Sequence, residues 1–140
     1  MKSNRITPKF IRDLGPKEIF VFGSNESGRH GAGAALTAQY WGAIYGQAFG
    51  MQGDTFGIPT VNSSVTKPLP INRIKFWVDL FIPIAKSLPE YKFLVTEIGC
   101  GLAKLTPQQI APLFRECMEL ENVALPEIFW KILLEADKES

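Results

Sequence analysis

The chain is poor in the residues that build disulfide frameworks and zinc sites. It contains two cysteines and one histidine among 140 residues. Two cysteines cannot form a disulfide framework, and with a single histidine they do not complete a standard structural zinc site. The sequence therefore predicts no metal centre, and we expect no cofactor.

Long apolar runs and blocks of like charge are also missing. No apolar stretch reaches the roughly 18 residues of a membrane-spanning helix, and the beginning of the chain, MKSNRITPKF, lacks the apolar core of a signal peptide. The formal net charge is +1, which disfavours binding to nucleic acid or to a membrane surface. We therefore expect a soluble cytoplasmic protein, and the sequence leaves its oligomeric state open.

What is present is the composition of one globular domain. Hydrophobic residues make up 46% of the chain and charged residues 21%, unlike the composition of disordered proteins. The length suits a single domain over residues 1–140. Apolar runs alternate with segments of helical spacing, which predicts a three-layer α/β/α sandwich around a mixed, mostly parallel sheet.

Short apolar or β-branched runs predict the strands, and apolar residues at helical spacing predict the helices. Residues 42–54 carry four glycines and predict an irregular connection. The predicted strands are Ile19–Phe22, Phe56–Thr60 (ending at Pro59), Lys92–Ile98 and Val123–Leu125, with Ile6–Thr7 as an edge strand or part of a short helix. The predicted helices are Ala32–Trp41 (with a face of Leu36, Tyr40 and Trp41, stopped by Gly42), Asn72–Leu88 (kinked or broken at Pro83), Thr106–Leu120 (started by a capping box) and Pro126–Ala136.

The most informative stretch is Phe20–Tyr40, FVFGSNESGRHGAGAALTAQY, which has the order strand, glycine-rich loop, helix. Small residues let backbone N–H groups approach an anion closely, so this unit is suited to phosphate. It matches neither the dinucleotide-binding GxGxxG pattern nor the GxxxxGK[ST] phosphate loop. The alternative interpretation is a tight turn followed by close helix packing.

A second stretch, Leu94–Leu105, LVTEIGCGLAKL, has the same order of elements. Taken alone, it is equally well explained as a turn from a strand to a helix. If the two strands are parallel neighbours, both loops lie at the same edge of the sheet. The pair then predicts one site that holds a nucleotide diphosphate between the loops.

Three side chains in or beside the loops are candidates for chemistry. His30 is suited to general base catalysis, and it can equally cap a backbone carbonyl or bind the ligand. Glu97 can act as a catalytic carboxylate, bind a ribose or form a structural pair. Asn25, where the first strand meets its loop, is a candidate ligand of a ribose or an amide.

Three further side chains have both a functional and a structural interpretation. Cys100 lies between two glycines near a predicted helix start, a setting that can lower a thiol pKa, but we favour a role as a small apolar filler. Tyr45 and Phe49 lie in irregular sequence, where one of them could stack on an adenine. Most of the other aromatic residues are expected in the core.

The order strand-FGSN-loop-HGAGAA-helix, followed by strand-IGCGL-loop-helix, resembles the macrodomain family of ADP-ribose-binding modules, close to its branch of ADP-ribosyl-protein hydrolases. The run VFGSNESGRHGAGAA is also similar to a group of small bacterial and phage proteins. The resemblance covers roughly Ile19–Leu120 and implies a cleft that binds ADP-ribose, with the diphosphate between the loops. The resemblance implies ligand-binding residues in both loops and at the end of the first strand. They are Gly23, Ser24, Asn25, Gly31, Ala32, Gly33, Ala34, Gly99, Cys100, Gly101 and Leu102.

The chain departs from that family pattern in two places. The family's adenine-binding aspartate has no clear counterpart, and Ala103 stands where the hydrolase branch carries an acidic residue. We therefore place binding of an ADP-ribose-like nucleotide first. The alternative is an ADP-ribosyl hydrolase, or an ADP-ribose phosphate phosphatase, that uses the same cleft with His30 and Glu97 as catalytic residues. A third hypothesis is an interaction protein with a degenerate site, whose partner surface would include Trp130 if its indole is exposed.

Overall fold

The computed structural model describes residues 3–101 and 103–139 of the chain. Within these residues, no helix is long and apolar enough to cross a membrane. The described residues form six strands, β1 to β6, which span Ile6–Thr7, Glu18–Asn25, Gly50–Gln52, Thr55–Val61, Lys92–Val95 and Val123–Pro126. The same residues form four α-helices, α1 to α4, which span Gly33–Ala38, Ile71–Ser87, Pro107–Ile110 and Glu127–Glu139, and 3-10 helices that span Ser3–Arg5, Gln39–Trp41 and Ala111–Glu119.

The six strands form one sheet in the order β1-β6-β5-β2-β4-β3. All neighbouring pairs are parallel except β3 with β4, which is antiparallel. The carboxyl ends of the parallel strands therefore meet at one edge of the sheet. Segments that follow β2, β4 and β5 are brought together there.

The two faces of the sheet carry cores of different size. Alternate residues of a strand point to opposite faces. Ile19 and Val21 of β2 join the larger core, which contains residues of α2, α4 and the 3-10 helix after α3. Phe20 and Phe22 join a smaller core with α1. Helices on both faces of a mostly parallel sheet make an α/β/α sandwich, which confirms the predicted fold class.

Two predictions about strands were wrong. The second predicted strand does not end at Pro59, because β4 continues to Val61. The pairing of β2 with β4 shifts register at this point: Ser24 pairs with Pro59, and Asn25 pairs with Val61. This irregularity accommodates Pro59, which has no N–H to donate to the neighbouring strand. The segment predicted to be irregular contains β3, an edge strand.

Two predictions about helices concern proline. Of the kink or break predicted at Pro83, the break does not occur, because helix α2 continues through Pro83 to Ser87. The proline is exposed, and the buried face of α2 packs against the larger core on either side of it. In contrast, the segment after Thr106 is α-helical only as far as Ile110 and then becomes a 3-10 helix. Pro112 lacks the N–H that an α-helix would bond to the carbonyl four residues earlier, which explains the change.

Two predicted helix ends are correct. The capping box forms at Thr106, whose hydroxyl accepts a hydrogen bond from the Gln109 backbone at 3.3 Å while its own N–H donates to the Gln109 side chain at 2.9 Å. Gly42 ends the helical run after α1 in a left-handed conformation. The predicted face of that run is wrong for Leu36 and Tyr40, which are exposed, whereas Ala35, Ala38 and the predicted Trp41 contribute to the smaller core.

The beginning and the end of the described chain are joined by Arg5 and Trp130. The Trp130 side chain is only 4% exposed, and its indole N–H donates to the carbonyl of Arg5 at 2.9 Å. Trp130 therefore offers no partner surface, and that basis of the third hypothesis is wrong. The guanidinium of Arg5 is buried and donates to the carbonyls of Cys117, Met118, Leu120 and Val123.

Candidate functional site

A cleft of about 660 Å³ lies at the carboxyl ends of β2, β4 and β5. Because β2 and β5 are parallel neighbours, the loops that follow them emerge side by side, as the sequence predicts. Most of the predicted site residues line this cleft: Gly23, Ser24, Asn25, Gly31, Ala32, Gly33, Ala34, Glu97, Gly99 and Gly101. Leu102, also predicted, lies outside the described residues.

The end of β2 shows how closely the two loops approach. A Cβ atom on Gly23 would lie 3.2 Å from the Thr60 hydroxyl and 3.3 Å from the backbone nitrogen of Gly99. Glycine therefore lets β2 run against the second loop with no side chain between them. The next residue, Ser24, donates its hydroxyl hydrogen bond to the carbonyl of Ala48 at 2.5 Å, so this hydroxyl holds the segment before β3.

Asn25 shapes the first loop through three hydrogen bonds. Its side-chain oxygen accepts from the Ser27 hydroxyl at 2.8 Å and from the Arg29 backbone N–H at 2.9 Å. Its side-chain nitrogen donates to the Arg29 carbonyl at 2.7 Å. The side chain was predicted to contact a ribose or an amide, but the structure gives both of its polar atoms partners within the loop. Asn25 thus fixes the backbone of Arg29 on both sides.

A segment far along the chain supports the first loop from behind. The N–H of Gly46 donates to the carbonyl of Gly28 at 2.8 Å. Gly28 has a φ of +72°, and a Cβ atom on it would lie 2.4 Å from the carbonyl carbon of Gly46. No larger residue fits this contact without moving one of the two backbones. The first loop and the segment before β3 therefore form one packed unit.

His30 belongs to that packed unit and does not line the cleft. Its side chain is fully buried, with the ring edge-on to Phe22 at 5.2 Å between centroids. Its Nε2 atom lies 3.0 Å from the carbonyl of Gln47, so Nε2 carries the proton and donates. Its Nδ1 atom has no hydrogen-bond partner within the described residues. The structure therefore does not bring the predicted general base to the cleft.

The second loop is held by its own backbone. The N–H groups of Cys100, Lys104 and Leu105 donate to carbonyls within the loop at 2.8–3.1 Å. Gly101 lies at the surface, and a Cβ atom on it would meet no atom within 4 Å. The loop is therefore closed by its own backbone hydrogen bonds, while Ile98 and Leu105 pack in or against the larger core.

Cys100 lies in the second loop but not among the residues that line the cleft. Burial, with a smaller contribution from the nearby charge of Glu97, raises the pKa of its thiol to about 11. Its thiol donates to the carbonyl of Ile98, with 3.5 Å between the sulfur and the oxygen. A raised pKa is the opposite of what a reactive thiolate requires, in keeping with the interpretation of Cys100 as a filler.

Glu97 lies between two cavities. It lines the main cleft, and with Thr96 it also lines a neighbouring cavity of about 350 Å³ beside the ends of β1 and β6. Its side chain is exposed and forms no ion pair with any described residue. Of the two predicted catalytic residues, the structure places only Glu97 at the cleft.

Several backbone N–H groups of both loops have no partner in the described part of the chain. In the first loop these are the N–H groups of Gly31 and Ala32, and no side chain caps the start of α1. In the second loop they are those of Gly99, Gly101 and Ala103. Gly99 is buried, and a buried N–H without an acceptor is rare in proteins. Hydrogen-bond donors are therefore available on both sides of the cleft.

Sequence reasoning missed three polar residues of the cleft, Arg29, Thr60 and Thr96. Arg29 is the only lysine or arginine among the described lining residues, and Glu97 is the only carboxylate. The position of Arg29 inside the glycine-rich loop was a signal that could have found it. Thr60 lines the cleft because β4 lies beside β2, which follows from the strand order and not from any local pattern.

Comparison of the chain with protein-family models, with curated proteins and with solved structures gives no match. The resemblance to macrodomains therefore stays a prediction based on the two loops. No group of three histidine, cysteine, aspartate or glutamate side chains that could hold a metal ion occurs in residues 3–101 and 103–139. The donors that the cleft offers are backbone N–H groups, hydroxyls and one guanidinium, and these are ligands of anions and sugars.

Proposed function

We propose that the chain binds ADP-ribose or a related nucleotide diphosphate between its two glycine-rich loops. The observation that carries this proposal is the convergence of both loops on one cleft of about 660 Å³. Small-molecule sites in proteins usually enclose roughly 300–1,000 Å³. The cleft is thus of the size that a nucleotide needs.

The unpaired N–H groups support a diphosphate as the central part of the ligand. Donors stand on both loops, at Gly31 and Ala32 on one side and at Gly99 and Gly101 on the other. A phosphate oxygen accepts several such hydrogen bonds, and the absence of side chains at the glycines leaves room for close approach. Two adjacent phosphates match two facing loops.

An aromatic side chain supports a nucleoside as a further part of the ligand. Tyr45 lines the cleft and is 63% exposed, so its ring is available to stack on a base. Phe49, the other residue considered for stacking, packs against Phe56 and Trp77 in the core. Tyr45 is therefore the aromatic residue that we assign to the ligand.

The test is a thermal-shift screen with ADP-ribose, AMP, NAD and inorganic phosphate on the wild type, Gly31→Glu and Gly31→Gln. A Cβ atom on Gly31 would meet no atom within 4 Å, so both variants should fold. The glutamate places a negative charge where the diphosphate would bind, and the glutamine is its neutral match in size. A ligand that binds only the folded protein raises the melting temperature.

We expect ADP-ribose to raise the melting temperature of the wild type, to do so less for Gly31→Gln and not at all for Gly31→Glu. That order would show that the loop contacts an anion. A folded wild type that responds to none of the four compounds would overturn the proposal. An equal response of all three proteins to ADP-ribose would show that the ligand binds elsewhere.

A hydrolase that uses the same cleft is a second candidate, because Glu97 places an exposed carboxylate there. In this candidate Glu97 takes a proton from a water whose oxygen bonds to the anomeric carbon of the ADP-ribosyl group; the bond from that carbon to the modified side chain breaks, and the departing side chain takes the proton back from Glu97. His30 is not part of it, since its side chain is buried outside the cleft. Turnover of ADP-ribosylated protein by the wild type, lost in Glu97→Gln while ADP-ribose still binds, would support it. No turnover by a wild type that binds ADP-ribose would exclude it.

A further inference from the structure

We propose that Arg29 recognises the negative charge of the ligand and that Asn25 is the residue that positions Arg29. The inference rests on the proposed function, because it assigns a role within the same cleft. It adds an electrostatic contact to a site otherwise built from backbone N–H groups. It also gives Asn25 a role other than the ribose contact predicted from the sequence.

The first step is that Arg29 is available. Its side chain is exposed and lines the cleft, and its guanidinium has no hydrogen bond or ion pair among the described residues. Two other arginines are engaged instead: Arg5 bonds four carbonyls and Arg73 pairs with Glu26. A planar guanidinium can donate two parallel hydrogen bonds to one phosphate, which a lysine cannot reproduce.

The second step is that the backbone of Arg29 is fixed. Asn25 holds both the N–H and the carbonyl of Arg29, at 2.9 Å and 2.7 Å, and the asparagine is only 6% exposed. A side chain that leaves a fixed backbone loses less conformational freedom when it binds than one on a mobile loop. The loop therefore presents a single cation to the cleft from a rigid base.

The third step is that charge in the cleft is uneven. Arg29 lies on the first loop and Glu97 lies on the second, and no other charged side chain lines the cleft within the described residues. A diphosphate is attracted by the Arg29 guanidinium and repelled by the Glu97 carboxylate, whereas hydroxyl groups of a sugar can donate hydrogen bonds to a carboxylate. We therefore expect the diphosphate, held between the two loops, to lie closer to Arg29 than to Glu97, and a hydroxyl-bearing part of the ligand to lie toward Glu97.

Calorimetric titration of the full chain with ADP-ribose, ADP and pyrophosphate, at low and at high NaCl, tests this assignment. The variants are Arg29→Gln, Arg29→Lys and, as a control of equal charge change, Lys86→Gln. Lys86 is exposed in the last turn of α2, near the starts of the parallel strands and so at the edge opposite the cleft. Circular dichroism melting of each variant shows that it is folded.

We expect Arg29→Gln to weaken ADP-ribose binding roughly tenfold at low NaCl and to reduce the salt dependence of its Kd. Arg29→Lys should lose less affinity and keep the salt dependence, and Lys86→Gln should match the wild type. Unchanged affinity and salt dependence in Arg29→Gln would overturn the role of Arg29 and leave the proposed function standing. A folded wild type that binds none of the three ligands would overturn both.

A double-mutant cycle tests the role of Asn25. If Asn25 acts through Arg29, Asn25→Ala should weaken ADP-ribose binding much less in the Arg29→Gln background than in the wild type. It should also reduce the salt dependence of the Kd, as Arg29→Gln does. Equal fold losses in the two backgrounds, with the salt dependence unchanged, would show that Asn25 supports only the shape of the loop and would overturn its positioning role.

Discussion

The two glycine-rich loops line one cleft but are held in different ways. The first loop depends on side chains, with Asn25 bonded to Arg29 and His30 bonded to the carbonyl of Gln47. The second loop depends on backbone hydrogen bonds within residues 97–105. The comparison teaches that similar glycine-rich sequences can differ in how far their shape depends on the rest of the chain. It also predicts that substitutions at the anchored positions of the first loop, Asn25 and Gly28, affect stability more than one at Gly101, the open position of the second.

The largest expected difference is between Gly28→Ala and Gly101→Ala. At Gly28 an added Cβ atom would lie 2.4 Å from the Gly46 backbone, and φ is positive. At Gly101 it would meet nothing within 4 Å. We expect Gly28→Ala to lower the free energy of unfolding by more than about 2 kcal/mol and Gly101→Ala by less than about 0.5 kcal/mol. Urea denaturation of both variants measures the difference. Equal losses would mean that the first loop is not pinned to residue 46.

The next effect is that of Asn25→Ala, which removes hydrogen bonds in a buried setting. It leaves the N–H and the carbonyl of Arg29 without their partner, and we expect a loss of about 2 kcal/mol in the free energy of unfolding. Asn62 is a matched control, because its side-chain oxygen accepts from the N–H groups of Thr66 and Lys67 in an exposed loop. Asn62→Ala should lose less than about 1 kcal/mol, since water can replace those bonds. A larger loss at Asn62 than at Asn25 would contradict the idea that the first loop is fixed by its asparagine.

Much of the fold could be predicted because its signals are local. The apolar runs identify β2, β4 and β5, and Thr106 and Gln109 mark a helix start that the structure contains. The failures at proline have a physical cause, since a missing N–H can be tolerated where packing is strong. Pro83 lies in a helix with a long buried face, whereas Pro112 follows a single α-helical turn.

The candidate site was less predictable because its support comes from distant parts of the chain. The position of both loops followed from their strands, but the burial of His30 depends on Gln47 and Gln52 in the segment around β3. Nothing in the sequence near His30 distinguishes a buried imidazole from one that faces a ligand. Similarly, the role of Asn25 as a support of Arg29 depends on loop geometry that residue types alone do not specify.

A smaller effect, on binding and not on stability, should come from Gly101→Glu compared with Gly101→Gln. Both variants should keep the wild-type melting temperature because the position is open. We expect the glutamate to weaken ADP-ribose binding at least tenfold relative to the glutamine, by repulsion of the diphosphate. Titration calorimetry measures this ratio. Equal affinities would show that only the first loop contacts the ligand. The second loop would then have a structural role alone.

The smallest effect concerns the reactivity of Cys100. Its thiol pKa is raised to about 11, and only the thiolate reacts, so alkylation should be slow near neutral pH and should accelerate roughly tenfold per pH unit until about pH 11. Cys117 is buried, with its pKa raised to about 12, and serves as an internal reference that reacts only after unfolding.

The pKa shift of Cys100 also has a sign that can be checked. A folded pKa above the ordinary value of 9.0 means that the stability gained from the protonated thiol is complete below pH 9 and is lost as pH rises toward 11. Glu97→Gln removes the smaller cause of the shift, so it should lower the pKa and speed alkylation slightly, whereas Glu90→Gln at the opposite edge of the sheet should not. Mass spectrometry of alkylated protein across this pH range measures both rates. A plateau in the alkylation rate of Cys100 below pH 9 would show that the second loop exposes a reactive thiolate. It would contradict the description of that loop as closed by its backbone hydrogen bonds.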